Sequence, residues 1–265
     1  METQTLISII IVTYKSTGYL KNCVFSVREK LFSFPHEIII INNDTDKNDF
    51  SFLDKKEKIF RMKKNIGFGP AINYGVKQAT GKYLFFLNPD SIIIDDGFQK
   101  IIEIFQNNPG IGVVGLKLVN ENNQAEIWNA GENITLFSFV KNNLSARPNS
   151  NILSASNLKK VGWVSGAALL IRKDIFEKIS GFDENFFMYF EDVDLCLRAC
   201  KSGFKTVVCP AANVVHFSGQ SPLSDKGRKT RYYEAQDYFF RKYYGSAGFY
   251  LMRFLRFFYS LALNQ

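Results

Sequence analysis

The stretch of the chain that decides the fold is Tyr83-Leu84-Phe85-Phe86-Leu87-Asn88-Pro89-Asp90. Its apolar run predicts a strand buried on both faces, and the proline predicts where that strand ends. In open α/β sheets the ligand crevice lies at the carboxyl ends of the strands. Asp90 would therefore lie at the rim of a sheet, where its carboxylate can hold a divalent cation against a diphosphate. Because Asn, Pro and Asp are all turn formers, an ordinary turn is the alternative interpretation.

Strands and helices alternate through residues 1–110. The β-branched run at 6–12 predicts a first buried strand, and apolar residues spaced three and four apart predict a helix beginning at Ser16 or Thr17. The other elements predicted for this part are strands at 37–41, 58–62 and 82–87 and helices at 70–81 and 95–105. Alternating strands and helices predict a mostly parallel sheet with right-handed crossovers.

The second part of the chain is less regular and is predicted to share one core with the first. Its predicted elements are strands at 111–119, 163–171 and 205–209 and a helix at 192–202. Residues 120–160 are rich in Asn and Ser, which predicts a variable or mobile insertion. The whole pattern predicts an α/β fold with a Rossmann-like, mostly parallel central sheet flanked by helices.

The charge balance is basic, because 33 Lys and Arg outnumber 25 Asp and Glu and give a formal net charge of +8. Much of the excess lies near the C-terminus, which suggests an anionic partner, either a phosphate-bearing substrate or a membrane surface. The sequence has no recognition-helix, zinc-finger or RNA-binding signature, so a nucleic-acid partner is not expected. Four cysteines without a C-x-x-C pair, and no basic leader at the N-terminus, predict a reducing compartment and no signal peptide.

Residues 225–265 predict a basic, aromatic helical tail. Arg253, Arg256 and Ser260 share one narrow stripe of the helix, and apolar residues cover the rest of its surface. The arginines interrupt the apolar run, which is shorter than the roughly 20 residues that a membrane span needs. Two interpretations stay open, namely a helix lying in an anionic membrane interface and a helix packed on the domain or in a dimer interface.

A possible ligand loop is Asn65-Ile66-Gly67-Phe68-Gly69-Pro70-Ala71-Ile72-Asn73, which precedes and opens a predicted helix. Its glycines let the backbone approach a ligand closely, and a helix N-terminus offers free N–H groups to an anion. The dinucleotide fingerprint G-x-G-x-x-G is not met, because Ile72 stands at the third glycine position, and no P-loop motif occurs. The alternative is a loop and a helix start that bind nothing.

Acidic residues follow an aromatic run at 186–190. Packing Glu191 and Asp192 against that run removes them from water, which raises a carboxyl pKa and suits a general base. Acids in a first helical turn also stabilise the helix dipole. Capping is therefore the alternative for these residues, and a capping or structural role is the interpretation favoured for Asp194.

A histidine at position 216 ends another apolar run. A single histidine is more often structural than a ligand. His216 and Asp90 together would be a sparse protein contribution to a metal site. Such a pair suits a Mg²⁺- or Mn²⁺-type ion that takes its other oxygens from substrate phosphates and water.

Short motifs follow one another in a fixed order along the chain. They are Val12-Thr13-Tyr14, Ile40-Ile41-Asn42-Asn43, Asn65-Ile66-Gly67-Phe68-Gly69 with Asn73 and Gly75, Leu87-Asn88-Pro89-Asp90, Val164-Ser165-Gly166-Ala167, Phe182-Asp183-Glu184, Tyr189-Phe190-Glu191-Asp192-Val193-Asp194 and Val215-His216. Each is weak alone, but together the sequence from Ile7 to about Ser221 resembles the family 2 inverting glycosyltransferases of GT-A fold, close to their rhamnosyltransferase-like branch.

The resemblance implies a role for each matching residue. Asp192 would be the catalytic base, and Asp90 with His216 would hold a divalent cation, Mg²⁺ or Mn²⁺. The nucleotide and donor would be bound by Thr13, Tyr14, Asn42, Asn65, Gly69, Asn73, Asn88 and Asp90. The donor sugar and acceptor would be bordered by Trp163, Gly166 and Glu191.

The resemblance also implies a domain organisation and a reaction. A GT-A domain would cover 1–224, with a nucleotide-binding half at 1–110 and an acceptor and catalytic half at 111–224, before the helical appendage at 225–265. The expected reaction moves a sugar, L-rhamnose from dTDP-rhamnose or a hexose from a UDP-sugar, onto a hydroxyl of a lipid-linked or surface glycan. The expected place is the cytoplasm, at the inner face of the cytoplasmic membrane, with the tail on anionic lipid.

Two departures from the family pattern affect these expectations. Asn42 stands where an Asp usually contacts the base; it keeps a carbonyl acceptor but loses the charge, which leaves the preferred nucleotide open. Asn88 replaces the first Asp of the family's D-x-D motif, so weaker metal binding is expected. The alternatives to glycosyl transfer are a sugar-nucleotide-binding protein without activity and a nucleotidyltransferase.

Overall fold

The computed structural model describes residues 6–46, 48–126, 129–135, 157–217 and 224–263. The strands in these ranges are β1 (Ile7–Thr13), β2 (His36–Asn42), β3 (Lys58–Arg61), β4 (Tyr83–Leu87), β5 (Ser91–Ile93), β6 (Ile111–Val119), β7 (Ala130–Gly131), β8 (Lys159–Val161), β9 (Trp163–Val164), β10 (Ala168–Arg172) and β11 (Lys205–His216). The helices are α1 (Thr17–Lys30), α2 (Phe68–Val76), α3 (Phe98–Asn107), α4 (Lys173–Lys178), α5 (Glu191–Lys201) and α6 (Asp225–Leu263). Much of the predicted insertion at 120–160 lies outside the described residues.

One nine-stranded sheet runs through both parts of the chain, in the order β3-β2-β1-β4-β10-β6-β11-β5, with β8 beside β11. Strands β3, β2, β1 and β4 are parallel, as the alternation of strands and helices predicts. Strand β10 is antiparallel to both β4 and β6, while β11 is again parallel to β6. The α/β fold class with a central, mostly parallel sheet and a C-terminal helix is confirmed.

Side chains that alternate along the strands build an apolar layer on each face of the sheet. Ile7, Ile9 and Ile11 of β1 pack in the layer that contains α1 and α3. Ile10 and Val12 pack on the other face, in the layer that contains α2, α4 and α5. Because both faces are covered, the strands consist almost entirely of apolar residues, which is the pattern that predicts them from sequence.

Several elements differ from the prediction. The strand predicted at 163–171 is two strands: β9 pairs with β7 in a separate small sheet, whereas β10 joins the main sheet after a turn at 165–167. The strand predicted at 205–209 continues to His216, because its register on β6 shifts between Cys209 and Asn213 and lets it pass Pro210. Strand β5 and helix α4 are too short for a periodic sequence signal.

Helix α6 consists of two arms joined at Gly245, whose φ of 64° and ψ of −164° are not helical. The first arm packs on the domain, where Phe239 contacts Phe190 and the aromatic residues Phe186 and Tyr238 meet at 4.7 Å between ring centroids. The packed interpretation of the tail is therefore correct for this arm.

The second arm of α6 folds back onto the first. Arg256 forms an ion pair with Asp237 and lies over the ring of Tyr233. This docking leaves a set of apolar side chains of the arm exposed: Tyr250, Leu251, Phe254, Phe257 and Phe258. The side chains of Ser260 and of the residues after it lie outside the described part. No helix within the described residues is both long and apolar enough to cross a bilayer.

Candidate active site

The carboxyl ends of three neighbouring strands bring predicted donor-binding residues together. Thr13 of β1 pairs in register with Asn42 of β2, and Asn88 follows the last residue of β4. Thr13 and Asn42 are buried, while Tyr14 is half-buried just beyond the end of β1. The Oδ1 atom of Asn42 accepts a hydrogen bond from the Nδ2 atom of Asn48 at 3.4 Å. These residues therefore share the edge at which open α/β sheets bind ligands.

Asn43 holds the predicted ligand loop against this edge. Its Nδ2 atom donates to Asn65 Oδ1 at 2.9 Å and to the Gly67 carbonyl at 3.1 Å, and its Oδ1 accepts from the Ile66 N–H at 3.0 Å. Sequence reasoning gave Asn43 no role of its own, although it stands in the motif that contains Asn42. Asn65 is held beside the strand ends by Asn43, and its side-chain oxygen also accepts the Gly67 N–H inside the loop.

The loop also needs glycine at position 67. Gly67 has a φ of +93°, and a Cβ atom there would lie 2.6 Å from the carbonyl oxygen of Phe187. The next residue, Phe68, donates its N–H to that same carbonyl at 2.9 Å. The ligand loop is thereby attached to the aromatic segment 186–190 that precedes the acidic residues.

Two residues predicted to bind the donor, Asn73 and Gly69, support the packing of this region. Asn73 donates its amide to the Phe182 carbonyl and to Glu184, and accepts from the Phe182 N–H at 2.9 Å, so its side chain is committed to the segment after α4. A Cβ atom at Gly69 would lie 3.1 Å from Phe182 Cβ, which makes this glycine a packing contact. That Asn73 also binds the nucleotide stays a prediction.

The two predicted metal ligands, Asp90 and His216, lie side by side although they are far apart in the chain. Asn88, two residues before Asp90, is separated from His216 by 128 residues. The short strand β5 pairs with the end of β11, which puts Ser91 opposite His216. His216 Nε2 lies 3.5 Å from Asp90 Oδ1, and both side chains are 14% exposed.

Glu126, which the sequence analysis did not single out, is the second acidic neighbour of His216. Its Oε2 atom lies 3.0 Å from His216 Nδ1. Burial lowers the pKa of His216, but the hydrogen bonds with Asp90 and Glu126 outweigh burial and raise that pKa to about 9. The contact between Nδ1 and Glu126 orients the imidazole and leaves Nε2 facing Asp90, and a carboxylate on the other ring nitrogen is usual for metal-binding histidines.

Asp90 and His216 fit a divalent cation as a partial ligand set. A carboxylate oxygen and an imidazole nitrogen 3.5 Å apart leave room for an ion bound at about 2.1 Å by each. Among the residues that the structure describes, no group of three or more His, Cys, Asp or Glu side chains could hold a metal ion. The remaining ligands would therefore have to come from a substrate and water.

The turn between β9 and β10 connects Asp192 to the strand ends. The Gly166 N–H donates to Asp192 Oδ2 at 3.0 Å, and the carbonyl of the next residue, Ala167, accepts from the Asn88 N–H at 2.9 Å. The Val193 N–H binds the other oxygen of Asp192 at 2.8 Å. The turn thus binds Asp192 through Gly166 and the Asn88–Asp90 segment through the next residue, Ala167.

Glu191, at the start of α5, is buried, and Asp192 beside it is half-buried. Burial, with the neighbouring Asp192, raises the pKa of Glu191 well above its usual range, and Glu191 Oε2 has no hydrogen-bond partner among the described residues. Burial also raises the pKa of Asp192, against the hydrogen bonds from Gly166 and Val193. A carboxylate with a raised pKa is a suitable proton acceptor near neutral pH.

The backbone before this pair is strained. Tyr189 and Phe190 have φ values of 72° and 64°, a left-handed conformation that is unfavourable for bulky residues. Such strain persists only where surrounding packing fixes it, and it is frequent at functional sites. Here the ring of Phe190 packs between Tyr232 and Phe239 of α6.

Asp194 has the structural role that the sequence favours. It is completely buried and accepts hydrogen bonds from Arg198, Lys242 and Tyr243. Lys242 and Tyr243 belong to α6 and had no assigned role. Trp163 is half-buried in β9, where it lies opposite Gly131.

Comparisons with known proteins identify the family to which this chain is similar. A family profile described as "Glycosyl transferase family 2" matches residues 8–180. The O-antigen biosynthesis protein RfbC of Myxococcus xanthus is 27% identical over 204 residues, which cover 72% of this chain and 16% of that protein. The N-acetylglucosaminyl-diphospho-decaprenol L-rhamnosyltransferase of Mycobacterium tuberculosis (strain CDC 1551 / Oshkosh) is 40% identical over 82 residues, which cover 31% of this chain and 27% of that protein.

A solved structure has a similar fold. The crystal structure of GalNAc-T7 with UDP, GalNAc and Mn²⁺ superposes with a TM-score of 0.63 at 15% identity, covering 89% of this chain and 48% of that one. At this identity the likeness concerns the fold, and it agrees with the GT-A class. The chain spans about a quarter or less of the length of the two relatives named above. Because the family profile covers most of the chain, the protein belongs to glycosyl transferase family 2.

Proposed function

We propose that this chain is an inverting glycosyltransferase that uses a nucleotide-diphosphate sugar as donor. The observation that carries the proposal is the turn at 165–167, which binds Asp192 on one side and Asn88 on the other. A direct transfer requires that the two substrates are held next to each other. One turn that holds both a half-buried base and the strand edge proposed for the donor suits that requirement. Family membership supports the same reaction class.

The donor would bind across the carboxyl ends of the strands. Thr13, Tyr14 and Asn42 would contact the base, and the diphosphate would reach Asp90 and His216. Those two side chains would hold Mg²⁺ or Mn²⁺ together with the diphosphate. A bound cation of this kind supplies charge stabilisation to a leaving diphosphate. The fold neighbour solved with UDP and Mn²⁺ is consistent with this arrangement.

Asp192 would act on the acceptor. Its carboxylate takes the proton of the acceptor hydroxyl while that oxygen forms a bond to the anomeric carbon and the bond from this carbon to the diphosphate oxygen breaks. Attack from the face opposite the leaving group inverts the configuration. The two N–H groups from Gly166 and Val193 orient the carboxylate and leave lone pairs free for the proton.

The donor sugar that we favour is L-rhamnose from dTDP-rhamnose, with a hexose from a UDP-sugar second. The name of the mycobacterial relative supports rhamnose, and it also names a diphospho-lipid acceptor. The acceptor proposed for this chain is accordingly a lipid-linked or surface glycan at the inner face of the cytoplasmic membrane.

The second arm of α6 supports peripheral contact with that membrane. Phe254 and Phe257 are each 58% exposed, on the same face as Tyr250 and Leu251, and the side chain of Arg253 in the same arm is 59% exposed. Aromatic and aliphatic side chains with adjacent arginines suit the interface of an anionic bilayer. The reaction would then take place close to where a lipid-linked acceptor is anchored.

The proposal is tested by the substitution Asp192→Asn. The variant is expected to bind donor nucleotides as the wild type does, measured by calorimetry, and to lose transfer at least about a hundredfold, because a general base contributes about 10²–10⁴-fold. The control is Asp174→Asn, which removes an exposed acid from the first turn of α4 and should leave transfer unchanged.

Other outcomes separate the alternatives. If the wild type binds nucleotide sugars but transfers none of them to any acceptor tried, the chain is a binding protein. If added pyrophosphate takes the nucleotidyl group from the donor, so that a nucleoside triphosphate forms and sugar 1-phosphate is released, the chain is a nucleotidyltransferase. Full transfer activity in the Asp192→Asn variant contradicts the role of Asp192.

A further inference from the structure

Helix α5, which carries Asp192, lies between the central sheet and the first arm of α6. On one side, Leu195 and Cys196 pack in the apolar layer of the sheet that contains α2. On the other side, Val193 belongs to a separate apolar cluster with Phe239 of α6. The position of Asp192 therefore depends on α6 as well as on the sheet.

The turn before Asp192 is held by aromatic side chains of α6. Tyr189 and Phe190 have φ values of 72° and 64°, which bulky residues rarely adopt. The ring centroid of Tyr232 lies 5.8 Å from that of Tyr189 and 5.3 Å from that of Phe190. Phe239 packs on Phe190 at the same distance of 5.3 Å. Because such a conformation persists only where packing fixes it, the turn depends on Tyr232 and Phe239.

The chain after Asp192 is held by polar side chains of α6. Asp194 is completely buried and accepts hydrogen bonds from Lys242 Nζ at 2.5 Å and from the Tyr243 hydroxyl at 2.6 Å. Lys242 also donates to Asp183 at 2.7 Å, at the other end of the segment that leads into α5. Helix α6 thus holds the chain on both sides of the proposed base.

The hydrogen bond between Gly166 and Asp192 depends on these contacts. Gly166 is buried, and its N–H donates to Asp192 Oδ2 at 3.0 Å. The next residue, Ala167, binds Asn88 at the strand edge proposed for the donor. If the first turn of α5 moves, this hydrogen bond breaks and the carboxylate leaves its place near that edge. A displacement of about 1 Å in an active site can cost about a hundredfold in rate.

We propose that the first arm of α6 positions the catalytic base, and that Tyr232 and Phe239 are positioning residues that act through the strained turn at 189–190. The inference rests on the proposed function, because it takes Asp192 as the base. Losing these contacts would slow transfer and leave donor binding intact, because the donor is proposed to bind at the strand ends.

The test compares Tyr232→Leu, which removes the ring that packs on the turn, with Tyr232→Phe, which keeps it. Transfer is measured from dTDP-rhamnose and UDP-sugars to an N-acetylglucosaminyl-diphospho-lipid, the acceptor class in the name of the mycobacterial relative. Hydrogen exchange of the Gly166 amide is measured without substrates. Tyr232→Leu should lower kcat about 10- to 100-fold and speed Gly166 exchange, with unchanged calorimetric affinity for dTDP and UDP. Tyr232→Phe should match the wild type in all three measurements.

The control is Phe105→Leu, which removes a buried ring of α3 on the opposite face of the sheet, where it stacks on Tyr83 at 5.0 Å between centroids. It should lower the melting temperature, as Tyr232→Leu does, without changing kcat or Gly166 exchange. Changes in kcat and Gly166 exchange that equal those of Tyr232→Leu would indicate a general loss of stability and overturn the inference.

The other outcomes are distinguishable. Unchanged Gly166 exchange in Tyr232→Leu overturns the role of α6 and leaves the proposed function intact. Faster exchange with an unchanged kcat also overturns that role, because the base is then displaced without effect on transfer. A wild type that transfers no sugar from any of these donors contradicts the proposed function itself, and Gly166 exchange then still tests whether α6 holds Asp192.

Discussion

Replacing Asp194 with Asn tests how firmly α6 holds the helix that carries Asp192. The carboxylate of Asp194 is completely buried. It accepts from Arg198 Nε at 2.7 Å, from Lys242 Nζ at 2.5 Å and from the Tyr243 hydroxyl at 2.6 Å. Asparagine has nearly the same shape, but it removes the negative charge and turns one acceptor into a donor that faces other donors.

The expected loss follows from these contacts. Removing one partner of a buried ion pair costs about 3–5 kcal/mol. Lys242 keeps a second partner, Asp183, at 2.7 Å, so the lower end of this range applies. A loss of about 3 kcal/mol is smaller than the total stability of about 5–15 kcal/mol of typical domains, so the variant should still fold.

Urea unfolding followed by circular dichroism measures the effect. With a slope of about 2–3 kcal/mol per molar urea, the midpoint should fall by about 1–1.5 M. Tyr243→Phe removes one hydrogen bond to the same carboxylate and should cause a smaller shift. Asp174→Asn, at an exposed ion pair with Arg172, should cost at most about 1 kcal/mol. A midpoint for Asp194→Asn that equals that of the Asp174→Asn control would refute the anchoring role of Asp194.

Two further predictions concern acid stability and the membrane. Burial works against ionisation of Glu37, but hydrogen bonds, the strongest from Lys58, lower its pKa from 4.5 to about 2. Because the folded-state pKa is the lower one, Glu37 stabilises the fold above about pH 4.5, and this contribution is lost as the pH falls towards 2. At pH 6 the wild type should therefore melt at a higher temperature than Glu37→Gln, and the two melting temperatures should converge by about pH 2. A difference in melting temperature that does not change with pH contradicts the lowered pKa of Glu37. Replacing both Phe254 and Phe257 with Ser should reduce co-sedimentation with phosphatidylglycerol vesicles about tenfold or more. The control is Phe32→Ser, at a phenylalanine that is 86% exposed on another part of the surface, and equal losses in both variants would refute a specific membrane face.

Local sequence patterns were sufficient to predict the regular part of the fold. The apolar runs of β1, β2 and β4 are buried on both faces, so composition alone marks them. The parallel direction of β1 and β2, and of β3 and β4, follows from the helix that lies between the two strands of each pair. The family resemblance implied that Thr13, Asn42 and Asn88 share a donor site, and the carboxyl ends of parallel strands do lie at one edge of a sheet.

Contacts between distant segments could not be predicted in this way. Strand β5 has three residues and exists because β11 pairs with it, so the approach of His216 to Asp90 is a tertiary effect. The antiparallel insertion of β10 between β4 and β6 leaves no periodic signal. The amides of Asn43 and Asn73 look alike in sequence, and only their hydrogen bonds separate the residue that holds the ligand loop from the one that holds the segment after α4.

The insertion of β10 also has a consequence for how this protein can be divided. Strand β4 belongs to the first part of the chain, but its neighbour β10 comes from the second, and the two pair through Leu84, Phe86 and their partners Ile171 and Leu169. A fragment ending near residue 110 would expose β4 as an open edge of Leu and Phe, which invites aggregation. Chimaeras that exchange donor specificity between relatives should therefore include β10 with the first part of the chain, because β4 and β10 from the same protein then remain paired.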